Sequence, residues 1–240
     1  MKNSLPRIAI IGAMPDEIAQ LEKLGTLTRK ISEGPYELQE INHNGMNCLI
    51  GLSGIGKVQA AMLTQYIIST WKPDYFIFTG VAGALNPSYD IGDIVLGVDF
   101  IQHDLDVRPL GFQRGEVPYT GKSIFYADSK LLNLAEQSCP EDHKLFRGRI
   151  LTGDQFITHS EMATHQYMTE ELKGDAVEME GAALAFVASR NDIPFLVIRT
   201  ISDRADGSAP CDFNRLLPIV AGNSCTIVRG VLDSIIDSLA

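Results

Sequence analysis

Acidic residues follow or end three apolar runs of the chain, and their carboxyl groups could carry protons or hold a polar ligand. Asp16 and Glu17 follow the run IIGAM, Glu178 and Glu180 flank Met179 in VEMEG, and Asp203 ends FLVIRTISD. Ligand sites of α/β proteins lie where strands end in glycine turns. Because a buried, unpaired carboxylate is costly, each buried one needs a partner.

The residues alone leave two interpretations of each acidic segment. At VEMEG, a carboxylate could accept hydrogen bonds from the vicinal hydroxyls of a ribose, or it could lie at a helix N-terminus, where the dipole favours negative charge. Asp203 could be an N-cap or turn residue. Alternatively, desolvation could keep its carboxyl protonated near neutral pH, so that it acts as a general acid.

Three glycine-containing segments could approach a ligand. Gly51–Val58 (GLSGIGKV) has P-loop spacing up to Val58, where a Ser or Thr hydroxyl must hold magnesium, so a glycine turn that caps the next helix is favoured over an ATPase site. Ile10–Met14 lacks the spaced glycines of a dinucleotide site, and the acidic residues after it would repel phosphate. The small residues of Thr79–Leu85 (TGVAGAL) follow the strand Tyr75–Phe78 and suit either ligand approach or helix packing.

Metal and triad chemistry are not indicated. Histidines occur at positions 43, 103, 143, 159 and 165. The one dense group, His103 and Asp104 with Asp106, lacks the spacing of a zinc or iron set, so solvated loop histidines are predicted. No serine lies in a Gly-x-Ser-x-Gly elbow.

Apolar runs bounded by glycine alternate with helical periodicity, which predicts a layered α/β fold. The predicted strands are Arg7–Ala13, Tyr36–Asn42, Asn47–Ser53, Tyr75–Gly80, Asp93–His103, Arg147–Gly153, Ala176–Met179 and Phe195–Ser202. The predicted helices are Pro15–Leu24, Lys57–Trp71, Ser129–Ser138, Ser160–Glu171, Glu180–Asn191 and Asp212–Leu239. Asn44-Gly45 predicts a hairpin turn and therefore a mixed sheet. The irregular stretch Leu105–Lys122 is expected to be functional or to be covered by a partner subunit.

Composition limits the class of protein. The chain has 240 residues, 45% of them hydrophobic, which predicts one domain over residues 1–240. A net charge of −10 without a Lys/Arg run disfavours nucleic acid and membrane surfaces and favours a small, near-neutral or cationic ligand. Cysteines 48, 139, 211 and 225 show no metal spacing and suggest reduced, mostly buried thiols. With no long apolar span and no export signal, a cytoplasmic location is predicted.

Taken in order, the motifs resemble a known family. IIGAM with Glu17, SGIGKV, TGVAGAL, GDQFI from Gly153, VEMEG and IRTISD together are similar to the 5′-methylthioadenosine/S-adenosylhomocysteine nucleosidases, within the nucleoside phosphorylase superfamily. The resemblance runs from about Ile8 to the last helix. It implies a three-layer α/β/α domain around a mixed, strongly curved sheet, assembled as a homodimer. It also implies hydrolysis of the bond between adenine N9 and ribose C1′ by water, with no metal or cofactor.

The resemblance also implies residue roles. Asp203 would donate a proton to adenine N7, and Glu17 would position and deprotonate the water. Protonation of the leaving group and negative charge near a developing oxocarbenium ion are what this bond cleavage needs. The implied binding residues are Glu180 on the ribose hydroxyls beside Met179, Phe156 stacked on the purine, Ile157 reading its edge, Val81, Ala82 and Gly83 along the sugar, Ser202 supporting Asp203, and Phe213 at the 5′ end.

Alternatives remain open at this point. Val81 stands where many family members have serine, which leaves the substrate preference open, and futalosine derivatives are a further option on the same scaffold. A nucleoside phosphorylase would need cations near the anomeric carbon, and Arg108, Arg114 and Arg204 are available in loops. A non-catalytic nucleoside-binding module would need neither Glu17 nor Asp203.

Overall fold

The fold is built around one ten-stranded mixed β-sheet. A computed structural model describes residues 5–140, 143–157, 164–204 and 213–239, with the backbone alone at 204 and 213–221. The strands are β1 (Ile8–Gly12), β2 (Thr26–Glu33), β3 (Tyr36–His43), β4 (Met46–Leu52), β5 (Tyr75–Ala84), β6 (Ile94–Gln102), β7 (Phe125–Tyr126), β8 (Leu145–Thr152), β9 (Ala176–Glu178) and β10 (Phe195–Arg204).

The sheet curves back on itself. Its order is β10-β6-β8-β9-β5-β1-β4-β3-β2, with β7 paired to β6, and β10 pairs with β5 as well. This last pairing closes β5, β9, β8, β6 and β10 into a ring, while the hairpins of β2, β3 and β4 extend from β1. The predicted mixed, strongly curved sheet is therefore confirmed.

Helices cover both faces of the sheet. They are α1 (Pro15–Ile18), α2 (Lys57–Trp71), α3 (Ser129–Gln137), α4 (Tyr167–Glu170), α5 (Gly181–Arg190) and α6 (Phe213–Asp237), with 3₁₀ turns at Leu21–Leu24 and Arg108–Leu110. Residues of α2 and α5 share one buried apolar cluster, and residues of α3 and α6 share another on the opposite face. The three-layer α/β/α prediction is confirmed, and no described helix is long and apolar enough to cross a membrane.

Continuous apolar strands follow from this layering. In β1, Ala9 and Ile11 face the α2/α5 cluster, whereas Ile8 and Ile10 face the α3/α6 cluster. Side chains alternate between the faces of a strand, so a strand covered on both faces needs apolar residues at every position.

Several predicted elements differ from the structure. Thr26–Glu33 is an edge strand without a sequence signal, because most of its side chains are exposed. Pro15–Leu24 is a short α-helix followed by a 3₁₀ turn, not one helix. Thr79–Ala84 continues β5 instead of following it, because it pairs with β10. The predicted helix Ser160–Glu171 reduces to α4 among its described residues, and 158–163 lie outside them.

The solvated-loop prediction is wrong for two histidines. His43 is buried in β3 and contacts Leu24 O at 2.5 Å and Asp233 Oδ1 at 2.7 Å. His103 is buried as well. The prediction of mostly buried thiols is confirmed for the described cysteines, since Cys48 and Cys225 are buried and Cys139 is half-buried. Cys211 lies outside the described residues.

Candidate active site

A cleft opens at the carboxyl ends of β1, β5, β9 and β10. The residues that line it are Ala13, Met14, Glu17, Ile55, Val81, Ala82, Gly83, Phe156, Ile157, Val177, Glu178, Met179, Glu180, Ser202 and Asp203. All sequence-predicted site residues are therefore brought together, except Phe213, whose side chain lies outside the described residues. Reasoning from sequence had assigned no site role to Ala13, Met14, Ile55 or Val177, which also line the cleft.

Glu17 is held by backbone amides at the base of the cleft. Oε2 accepts from Ala13 N at 2.6 Å and Met14 N at 3.0 Å, and Oε1 accepts from Val81 N at 3.3 Å. The residue is only 4% exposed. Burial raises the pKa of this carboxyl above its ordinary value, although Arg199 and the three amides oppose the rise. Glu17 is thus fixed in place with an increased affinity for a proton.

Gly80 leaves the space that Glu17 occupies. A Cβ at this position would lie 2.8 Å from Glu17 Oε1 and 3.0 Å from a terminal nitrogen of Arg199. The small residues of TGVAGAL therefore serve close approach of side chains to the backbone of β5.

Asp203 lies in β10, across from the end of β5. It is 3% exposed, and Ser202 Oγ donates to Asp203 Oδ2 at 2.9 Å. A Cβ at Gly83 would be 3.0 Å from Asp203 Oδ1. A shift in the β5/β10 register between Ile201 and Asp203 places the aspartate here. The N-cap interpretation of Asp203 is therefore wrong, because the residue belongs to a strand.

Glu178 forms a buried ion pair with Arg199. Arg199 Nη2 donates to Glu178 Oε2 at 2.6 Å, and both residues are buried. The Glu178 carboxylate also accepts from the amides of Glu180 at 3.0 Å and Gly181 at 2.8 Å. Thr152 Oγ1 donates to it too, and this hydroxyl accepts from Ala182 N at 2.8 Å. For Glu178, the helix N-terminus interpretation is thus correct.

The Glu180 carboxyl group, by contrast, faces the cleft, and its role toward a ribose stays a prediction. Glu180 occupies the N-cap position of α5 without capping the helix, and its side chain lines the cleft. Oε1 accepts from Gly56 N at 2.8 Å. Burial and the neighbouring Glu178 raise the pKa of this carboxyl to about 8. A ligand that donates hydrogen bonds to Glu180 would favour its charged form.

Apolar and aromatic groups form the rest of the cleft. Phe156 is half exposed at its edge, Ile157 is buried, and Met179 and Val81 are half-buried. An exposed phenyl ring on the cleft wall offers a face on which a flat base could stack.

The loop arginines do not reach the described wall of the cleft. Arg108 pairs with Asp106 at 2.7 Å, and Arg114 pairs with Glu171 at 3.3 Å and lies over the Tyr167 ring. No Lys or Arg is found among the described lining residues. The side chain of Arg204 lies outside the described part of the chain.

Comparison with known proteins places this geometry in a family. The family model for the phosphorylase superfamily matches residues 7–233. A 5′-methylthioadenosine/S-adenosylhomocysteine nucleosidase of Actinobacillus succinogenes is 37% identical over 232 residues, which cover 94% of this chain and 98% of that protein. The chain belongs to the 5′-methylthioadenosine/S-adenosylhomocysteine nucleosidase family.

Solved structures of similar fold agree with this membership. The nucleosidase of Neisseria meningitidis in complex with methylthio-immucillin-A has a TM-score of 0.90 and 34% identity, covering 96% of this chain and 100% of that chain. A futalosine hydrolase of Helicobacter pylori has a TM-score of 0.89 and 31% identity, covering 96% of this chain and 98% of that chain. Nucleosidases of this family and a futalosine hydrolase therefore share this fold.

Proposed function

We propose that the chain hydrolyses the N-glycosidic bond of 5′-methylthioadenosine and S-adenosylhomocysteine, releasing adenine and the thioribose sugar. The observation that carries this proposal is the placement of Glu17 and Asp203 on one cleft. Glu17 contacts Val81 N, whereas Asp203 lies against Gly83, two residues further along β5. At about 3.3 Å per strand residue, the two contact points on β5 are about 7 Å apart, so the two carboxyl groups meet the same wall of the cleft at different positions.

The two carboxyl groups supply the two proton transfers. Glu17, anchored by three amides and with a raised pKa, accepts a proton from the attacking water. Asp203 donates a proton to adenine N7, so that the base leaves as a neutral molecule. Ser202 Oγ supports the resulting carboxylate at 2.9 Å.

Binding residues hold the substrate on either side of this bond. Glu180 accepts hydrogen bonds from the ribose hydroxyls beside Met179, and Phe156 stacks on the purine while Ile157 reads its edge. Val81, Ala82 and Gly83 follow the sugar, and Phe213 closes the 5′ end. All of these residues except Phe213 line the cleft, and this position supports their roles.

The same proposal extends to assembly and location. Exposed apolar residues at Ile55, Val58 and Met62 near α2, and at Leu110 in the Leu105–Lys122 loop, support a homodimer whose loop covers the partner's cleft. Residues 1–240 would act as one domain without metal or cofactor. A cytoplasmic enzyme of methionine salvage and nucleoside catabolism is in keeping with the buried thiols of the chain.

A futalosine-type substrate is the second candidate, favoured by the structural similarity to the Helicobacter pylori futalosine hydrolase. The test is incubation with methylthioadenosine, S-adenosylhomocysteine, inosine and aminodeoxyfutalosine, with and without phosphate and a chelator. Chromatography identifies the base released. Release of hypoxanthine, or of no base without phosphate, would contradict the proposal.

A further inference from the structure

The SGIGKV turn, residues 53–58, does not fit a phosphate-binding P-loop, but it contacts both walls of the cleft. Gly54 and Gly56 have φ angles of 82° and 101°, which a residue with a side chain rarely adopts. Gly56 is the N-cap residue of α2 and has no capping side chain of its own. The first amides of α2 are thus available to partners elsewhere in the chain.

Two consecutive amides of this turn hold opposite walls. Gly56 N donates to Glu180 Oε1 at 2.8 Å, on the ribose side. Lys57 N donates to Asp154 Oδ1 at 2.7 Å, and Asp154 lies two residues before Phe156 on the purine side. Because the two amides belong to adjacent residues, the turn fixes the distance between Glu180 and residues 153–157, here called the purine segment.

Charged side chains reinforce the purine side of this contact. Lys57 Nζ donates to Asp104 Oδ1 at 2.6 Å and lies 3.9 Å from Asp154 Oδ2. The amide of Asp154 donates in turn to Asp104 Oδ2 at 2.9 Å. Although burial alone would raise the pKa of Asp104, the bonds from Lys57 and Asp154 N hold it below its ordinary value. Asp104 and Lys57 thus fix both the backbone and the side chain of Asp154.

Gly153 allows the segment to lie this close to the strands beneath. A Cβ at Gly153 would be 2.2 Å from His103 Nε2, and Gly153 N donates to Glu178 O at 3.1 Å. The purine segment is therefore anchored from below by β9 and from the side by α2.

We infer that Asp154 is a positioning residue for purine binding, acting with Lys57 and Asp104 through the N-terminus of α2. This inference rests on the proposed function, since it assigns the segment after Asp154 to the base. The Asp154 carboxylate holds that segment at a fixed position relative to Glu180 and makes no contact with the reacting atoms. Its loss weakens binding of the purine in the ground state and in the transition state alike, so KM changes more than kcat.

The test compares Asp154→Ala with Asp154→Asn. Alanine removes the acceptor for Lys57 N, and we expect KM for methylthioadenosine and the calorimetric Kd for adenine to rise about tenfold, with kcat within about threefold. Asparagine keeps an Oδ1 acceptor and is expected to restore both values to within about threefold of the unaltered protein. Asp74→Ala is the matched control, because Asp74 Oδ2 accepts from Arg7 N at 2.7 Å before the start of β5.

The outcomes separate this inference from the proposed function. An adenine Kd for Asp154→Ala within about threefold of the unaltered protein would overturn the inference. An asparagine variant as weak as the alanine variant would overturn it too, as would equal weakening by Asp74→Ala. If the unaltered protein binds adenine but releases none from either thioadenosine, the proposed function fails while the adenine titrations still decide the role of Asp154. Thermal melting of each variant confirms that it is folded.

Discussion

Arg199 lies behind the cleft, where it is only 1% exposed, and its Nη2 donates to Glu178 Oε2 at 2.6 Å. The guanidinium also lies over the Phe78 ring, 4.5 Å from its centroid. It is the positive charge among three buried carboxyl groups, those of Glu17, Glu178 and Glu180. The hydrogen bonds that Arg199 donates within the described part of the chain go to Glu178 and to the Ile198 carbonyl. The site therefore depends on a cation that acts on the carboxyl group of Glu17 through its charge.

Arg199→Met should destabilise the fold. The change leaves Glu178 charged, buried and without its cation, and breaking a buried pair in this way costs about 3–5 kcal/mol. Urea unfolding measures the loss. As a control, Lys144→Met removes an exposed pair with Asp90 and should cost less than about 1 kcal/mol. Equal stability of Arg199→Met and the unaltered protein would show that the Arg199–Glu178 ion pair does not stabilise the fold.

Glu180→Gln should increase stability at alkaline pH while it weakens substrate binding. The folded pKa of about 8 exceeds the ordinary value of 4.5, so folding binds a proton between these values and stability falls as pH rises through this range. Glutamine is neutral and can still accept from Gly56 N. Its advantage should be on the order of 1–3 kcal/mol at pH 9 and should vanish below about pH 4.

The measurement is thermal or urea unfolding of both proteins between pH 4 and pH 9, together with the Kd of a non-hydrolysable thioadenosine. That Kd should rise in the variant, because charge-assisted bonds to the ribose hydroxyls are lost. A stability difference that is constant with pH would contradict the raised pKa of Glu180.

Gly80→Ala should impair turnover more than Val81→Ala. A Cβ at position 80 would lie 2.8 Å from Glu17 Oε1 and displace the carboxylate, whereas Val81 contacts Glu17 through its backbone amide, which alanine keeps. We expect a fall in kcat of at least about tenfold for Gly80→Ala and of less than about threefold for Val81→Ala. The reverse order in steady-state kinetics would show that the space left by Gly80 is not needed to position Glu17.

The proposed homodimer predicts a weak point in the loop. Leu110 is 72% exposed, so Leu110→Asp should leave the subunit folded while it shifts sedimentation from dimer to monomer and reduces activity. Leu27→Asp, at a leucine that is 46% exposed on β2, is the matched control and should remain dimeric. A fully active monomer of the unaltered protein at micromolar concentration would contradict the homodimer.

Local signals in the sequence predicted most of the fold. α2 begins and ends as predicted at Lys57 and Trp71, because a glycine turn precedes a run of 15 residues without Gly or Pro. β2 carries no apolar alternation, since it is an exposed edge, and pairing with β3 alone makes it a strand. The extension of β5 past Gly80 likewise depends on β10, more than a hundred residues later in the sequence.

The carboxylates of the site were visible in the sequence, but their partners were not. Glu178 and Glu180 are two residues apart and could not be distinguished by spacing. One meets Arg199 and the amides of α5, and the other meets Gly56 and faces the cleft. These pairings arise because β9 and β10 both join β5, a long-range arrangement that local patterns do not encode.

Replacement of the carboxyl groups tests the assigned proton transfers. Asp203→Asn keeps the side-chain shape but removes the proton for adenine N7, and Glu17→Gln keeps acceptor and shape but removes the base. Each should lower kcat by at least about 10²-fold, the usual scale of acid–base assistance, while binding of a non-hydrolysable thioadenosine largely survives. Near-normal turnover in either variant would show that the chemistry belongs to other residues.

The most direct test of the central claim is the product analysis of methylthioadenosine in phosphate-free buffer. If Glu17 activates water, adenine and free methylthioribose form in equal amounts, and added phosphate changes neither the rate nor the sugar product. If base release required phosphate, and the sugar appeared as its 1-phosphate, the enzyme would be a phosphorylase and the role assigned to Glu17 would be wrong.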